Sequence, residues 1–225
     1  MDPRKHFSAL NIIHKIIRER VQPGDLCIDA TAGRGNDALF LAKLVGETGH
    51  VTAFDIQQDA VDSTKKLLEE HGMTSRTDVL LKSHSEMDEV CEEGTVSCIT
   101  FNFGWLPKGD HNIFTNKSTS IPAIEKGLKL LKSGGMMTLI IYYGRETGFE
   151  ERDALLEYLP TIDSSLREPS QLPADSYNHT KGYVIRQILT YHLICAIIKR
   201  RRFIINQNAL RIRSPSANSI HIVKL

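Results

Sequence analysis

Short apolar runs alternate with amphipathic segments of helix length through most of this chain, and that alternation is what most limits its fold. The runs fall at 26–30, 51–55, 79–81, 96–101 and 136–143. Apolar residues recurring every three or four positions predict helices over 37–45, 57–71, 122–131 and 150–159. Near-continuous apolar strands joined by helical crossovers require a mostly parallel sheet covered on both faces, an α/β fold. An earlier helix is expected where Phe7, Leu10, Ile13, Ile16 and Ile17 share one face, ended by Pro23-Gly24. Pro122 is expected in the first turn of its helix, and Ser133-Gly134-Gly135 as a helix stop before a tight approach to the next strand. Residues 161–177 lack periodicity and read as a surface connection. Residues 183–198 are apolar and β-branched, which suits two last strands, with a single helix as the alternative.

A chain of 225 residues, 41% hydrophobic and 24% charged, suits one globular domain. No stretch approaches the roughly 20 apolar residues of a membrane helix, and residues 1–20 lack the apolar core of a cleavable signal, so the expected compartment is the cytoplasm. Cys27, Cys91, Cys98 and Cys195 show no CxxC spacing, which argues against a metal site and against a disulfide framework. The net charge of +1 conceals an asymmetry. Residues 199–225 hold seven Lys or Arg and no acid, leaving 21 bases against 27 acids in the rest. We therefore divide the chain into a domain at 1–202 and a basic tail at 203–225, read first as a solvated, disordered end and second as an electrostatic arm for nucleic acid.

The ten residues Asp29-Ala30-Thr31-Ala32-Gly33-Arg34-Gly35-Asn36-Asp37-Ala38 follow the first strand and open the next helix. Glycines at 33 and 35 allow positive φ and close ligand approach, and the helix start offers free N–H groups to an anionic group. Asp29 is placed to accept from a ligand ammonium, and Asp55, ending the second strand, to take both hydroxyls of a ribose. Two cofactor classes fit this pattern: the run from Gly33 to Ala38 also reads as GxGxxA, as in a nicotinamide-dependent oxidoreductase.

The fourth strand separates them, because it ends in Phe101-Asn102-Phe103-Gly104-Trp105-Leu106-Pro107. An Asn at the carboxyl end of a parallel strand presents a side-chain carbonyl in the crevice where ligands bind. Such an acceptor can hold the hydrogens of an amine that attacks a sulfonium methyl, without giving it a proton. Trp105 is weighed equally as a stacking surface for a base and as core.

Taken together, DATAGRGNDALFLA, FDIQ, FNFGWLPKGDHNIFT and AIEKGLKLLKSGGMMTLIIYYG resemble the MnmM (YtqB-like) family, over about residues 17–159. The resemblance implies a seven-stranded class I methyltransferase (Rossmann-like) fold, S-adenosylmethionine as donor, and N-methylation of 5-aminomethyl-2-thiouridine at the wobble position of tRNA, in the anticodon loop. It implies Asp29, Gly33, Gly35, Asn36 and Asp37 at the methionine end of the donor, Asp55 and Gln57 at the ribose, and Ser83 and His84 beside the adenine. Asn102 matches the family's catalytic-strand Asn; Phe103 and Gly104 would shape the methyl-transfer pocket, with Lys108 and Asp110 on the adjoining substrate loop. His84 without the resemblance reads as a surface-turn histidine. The chain departs from the family pattern at Arg34 and Arg145, which replace Asn and His, and in lacking an Asn- and Pro-rich loop near its end. Methyl transfer to another RNA, a protein or a small amine, and a non-catalytic binding module, are the competing functions. A homodimeric assembly is left open.

Overall fold

The computed structural model describes residues 9–106, 113–142, 145–164, 183–190 and 193–200. Lys108, Asp110, the tail at 203–225 and most of the expected surface connection lie outside the described residues. Seven strands form one sheet in the order β3-β2-β1-β4-β5-β7-β6. They are β1 (Leu26–Asp29), β2 (His50–Asp55), β3 (Thr77–Leu81), β4 (Val96–Phe103), β5 (Leu131–Tyr142), β6 (Tyr183–Thr190) and β7 (Leu193–Arg200). The first five pair in parallel, and β7 runs antiparallel between β5 and β6. The chain past residue 182 thus takes the two-strand alternative. The helices are α1 (Ala9–Arg18), α2 (Asn36–Val45), α3 (Gln58–Glu70), α4 (Lys117–Leu130) and α5 (Arg145–Ser164). Among the described residues no helix is long and apolar enough to cross a membrane.

Side chains alternate across each strand, so a strand buried on both faces feeds two cores. Ile99, Phe101 and Phe103 of β4 join Leu139 and Ile141 of β5 in a core closed by α4 and α5. Cys98 of β4 and Ile140 of β5 face the opposite core, with Ile13 and Ile17 of α1, Leu41 of α2 and Leu68 of α3. The amphipathic amino-terminal helix is therefore a fixed layer of the domain.

Two turn expectations are corrected. Helix α4 starts at Lys117, five residues ahead of Pro122, because Asn116 caps it: its Oδ1 accepts the Ser118 N–H at 3.0 Å. Pro122 sits inside the helix, which forgoes one backbone hydrogen bond there. Nor is Ser133-Gly134-Gly135 a helix stop, since α4 ends at Leu130 and β5 begins at once. The two glycines lie within β5 at a bulge, where the pairing jumps from Val96↔Leu131 to Cys98↔Met136. The expected tight approach is real: a Cβ on Gly135 would lie 2.9 Å from the carbonyl oxygens of Val96 and Lys132.

Phe101 is fully buried and stacks on Phe103 with ring centroids 4.9 Å apart. Phe101→Ala is expected to cost about 3–5 kcal/mol of stability, and Phe101→Leu much less. Urea unfolding midpoints measure both; equal losses would mean that ring packing here carries little.

Candidate active site

The strands β1, β2, β3 and β4 end on one edge of the sheet, and a cavity of about 580 Å³ opens there. That volume is in the ~300–1,000 Å³ range of small-molecule sites. Of the expected donor residues, Gly33, Asn36, Asp37, Asp55, Gln57, Ser83 and His84 line it. Of the residues expected on the acceptor side, Asn102, Gly104 and Trp105 line it.

Asp55 is oriented by two backbone N–H groups. Its Oδ2 accepts the Gly33 N–H and its Oδ1 the Gln57 N–H, both at 2.9 Å. A carboxylate offers about four lone-pair positions, so each oxygen keeps one for a hydroxyl. Gly35, at φ 84°, caps α2 in the left-handed region. Any Cβ on it would meet the Thr64 Cα of α3 at 2.9 Å, so this glycine is what lets α2 and α3 close together behind the loop.

Three expected contacts are not made from the cavity wall: Asp29, Gly35 and Phe103 do not line it. Asp29 is fully buried, with Oδ1 turned back to accept the Thr31 N–H at 3.2 Å and Oδ2 unpartnered. Burial first, and then the neighbouring Asp37 charge, hold its carboxyl well above the usual carboxylate range. Gly35 spends its small size on Thr64. Phe103 is fully buried against Phe101, because residues one position either side of Asn102 must point to the opposite face of the strand.

His84 is buried, not a surface-turn residue. Its ring meets Phe101 and Phe103 edge-on, with centroids 5.9 and 6.1 Å away, and its Nε2 has no partner. Burial pushes its pKa down to about 4, against an opposing hydrogen bond to the Ala30 backbone. The imidazole is therefore neutral near pH 7. Ser83 Oγ is shared with Ser85, accepting its N–H at 3.2 Å.

Asn102 is held at both ends. Its backbone N–H donates to Thr31 Oγ1, and its side-chain Nδ2 donates to Asp37 Oδ2, each at 2.7 Å. Asn102 lines the cavity, and its carbonyl oxygen is the end of the amide that Asp37 does not hold. Beyond it, Trp105 and Phe114 form an antiparallel bridge, and Thr115 N–H donates to the Gly104 carbonyl at 3.0 Å. Thr115 Oγ1 accepts the Gly104 N–H at 2.7 Å and donates to buried Glu151 at 2.8 Å. Burial raises the Glu151 pKa, opposed by the Ser120 and Thr115 hydrogen bonds. Trp105 is partly exposed in the cavity wall. Thr31, Thr115 and His14 were not anticipated as site residues. Thr31 lies inside the glycine-loop segment and Thr115 ends the FNFGWLPKGDHNIFT motif, so only their roles were missed, whereas nothing local marks His14. Among the described residues no group of His, Cys, Asp and Glu could hold a metal ion.

Residues 51–188 match the family described as "Putative rRNA methylase". A chloroplastic tRNA (mnm(5)s(2)U34)-methyltransferase of Arabidopsis thaliana is 37% identical over 167 residues, 69% of this chain. The match spans 61% of that relative, about three fifths of its length. A solved "putative rRNA-methylase" from Clostridium thermocellum superposes with a TM-score of 0.74 at 35% identity, covering 86% of this chain and 97% of that one. A "putative methyltransferase" from Streptococcus mutans, solved with SAH, gives 0.69 at 24% identity over 86% and 98% of the two chains, a likeness of fold alone.

The buried histidine makes a pH prediction. Unfolded, His84 titrates near 6.5, and folded near about 4, so between those values the unfolded chain binds the extra proton and acidification favours unfolding. The stability His84 contributes is complete above about pH 6.5 and is lost as pH falls toward 4. The stability gap between wild type and His84→Gln should therefore narrow from pH 7.5 to pH 5 in urea titrations. A constant gap would place a solvated histidine at this position.

Proposed function

Since this chain belongs to the "Putative rRNA methylase" family and has the class I methyltransferase fold, we propose that it moves a methyl group from S-adenosylmethionine to the exocyclic amine of 5-aminomethyl-2-thiouridine in tRNA. The name of the Arabidopsis relative supports this acceptor. The fit of the donor rests on the cavity itself: Asp55 has lone pairs open for ribose hydroxyls, the α2 start presents Asn36 and Asp37, and the unpartnered His84 Nε2 awaits a polar neighbour. When bound, S-adenosylmethionine supplies a sulfonium methyl open to attack by a neutral amine. The observation that carries the proposal is the Asn102 amide, whose N–H end is committed to Asp37 and whose carbonyl is left for the acceptor. That carbonyl would hold amine hydrogens and orient the lone pair, and enclosure by Trp105 and Leu106 would disfavour the ammonium form. No side chain need act as a dedicated base. Family membership and fold count against a nicotinamide enzyme, although Asp55 and GxGxxA suit one equally well.

The same proposal extends to the parts the geometry does not reach. We assign 1–202 to the methyltransferase domain and 203–225 to a tail outside donor binding. Recognition would centre on the anticodon loop, because the body is acidic and backbone charge attraction is correspondingly weak. A cytoplasmic location is supported by Cys27 and Cys98, buried free thiols paired in register on β1 and β4. A homodimer is the assembly to test by light scattering.

Incubating the enzyme and donor with tRNA from cells lacking the final methylation, followed by nucleoside mass spectrometry, should convert the aminomethyl nucleoside to its methylaminomethyl form. Persistence of that nucleoside, while another RNA, a protein or a small amine gains the methyl group, overturns the acceptor. Asp55→Ala should weaken donor binding by about 1.5–3 kcal/mol, roughly ten- to hundredfold, in calorimetric titration. Unchanged affinity in a folded variant would remove Asp55 from the site.

A further inference from the structure

Helix α1 reaches the cavity wall with Leu10, and one turn further on it turns His14 toward the site from behind that wall. His14 Nε2 lies 2.7 Å from Asp37 Oδ1, while the other oxygen of the same carboxyl receives Asn102 Nδ2 at 2.7 Å. Asp37 is buried, and both its oxygens are thus engaged by side chains from two different elements, α1 and β4. His14 is itself fixed. Its ring stacks on Phe40 of α2 at 4.0 Å and 10°, with the Arg18 guanidinium over the same Phe40 ring at 5.4 Å, and Ile13 and Ile17 anchor the helix in the core. His14 does not line the cavity, so any influence on a ligand passes through Asp37.

The two ends of an asparagine amide have nearly the same shape and opposite polarity, so its partner decides which end faces outward. As a carboxylate, Asp37 can only accept, which forces the Asn102 NH₂ inward and the carbonyl toward the cavity. The reverse orientation would put N–H donors beside the acceptor amine. Those donors would bind its lone pair, the electrons needed for attack. A carboxylate tethered at one oxygen only can rotate and lose its grip on the amide; tethered at both, it cannot.

We propose that His14 is a positioning residue, which through Asp37 locks the polarity of the Asn102 amide so that the cavity presents an acceptor to the amine. This rests on the amine-methylating reading of the site, and the tests separate the two. His14→Phe keeps a ring on Phe40 but removes the hydrogen bond; His14→Gln restores a donor. Single-turnover methyl transfer to the aminomethyl tRNA, at saturating donor and tRNA, should fall at least about tenfold in His14→Phe, with donor affinity within about threefold of wild type. His14→Gln should recover most of the rate. The second readout needs no acceptor: exchange of the Asn102 side-chain amide protons, assigned by their absence in Asn102→Asp, should quicken about tenfold in His14→Phe and return in His14→Gln. His14→Leu serves the same comparison should the Phe variant not fold. Unchanged amide exchange, or an undiminished rate in His14→Phe, overturns the lock. A wild type inert on the aminomethyl tRNA, with exchange still responding to His14, overturns the acceptor reading and leaves the lock standing.

Discussion

The cavity depends on the parallel register of β1, β2 and β4. Asp29 of β1 stands level with Ala53 of β2 and Thr100 of β4, so the last residues of all three strands reach one edge of the sheet. From that edge Asp55 continues β2 beyond β1, and Asn102 continues β4 on the other side. The order β3-β2-β1-β4 reverses between β1 and β4, and a crevice opens where crossovers leave in opposite directions. Shifting the β1–β4 pairing by one residue would turn Asn102 into the core and Phe101 or Phe103 into the cavity.

Charge is organised around the same edge. Asp29, Asp37 and Asp55 converge from two strands and a helix start, and they are kept apart by different means. Asp55 takes two backbone N–H groups, Asp37 takes His14 and Asn102, and Asp29 is buried with its carboxyl held toward the protonated form. The two cavity-lining carboxyls leave a negative surface suited to a ligand that carries positive charge, and the third is placed beneath the loop where a full charge would be costly.

The far end of β4 is held, through Thr115, by hydrogen bonds to residues of the neighbouring helices. Gly104, Thr115 and Glu151 form a chain that ties the end of β4 to α5. Ser120 Oγ donates to the other Glu151 oxygen at 2.5 Å, so α4 joins the same anchor. Gly104 and Thr115 are therefore both tied to the buried Glu151, which Ser120 also holds.

Local pattern determined a good deal of this protein. Apolar periodicity placed the five parallel strands and their helices, because both signals are written within a few residues of where they act. The segment from Gly33 to Asp37, the strand-ending Asp55 and the Asn102 motif were legible for the same reason, and Gly33, Asn36, Asp37, Asp55 and Asn102 reach the cavity wall. What tertiary structure decided is which of those residues face the ligand and what holds them. Phe103 is lost to the core by strand alternation, Gly35 to the close approach of α3, and Asp29 to burial under its own loop. His14 enters through packing of a helix 23 residues upstream of Asp37, and Glu151 through a helix 36 residues beyond Thr115. No sequence spacing encodes such pairings: they arise only when separate elements, each folded for its own apolar face, are pressed against one sheet and their polar side chains must find partners out of water.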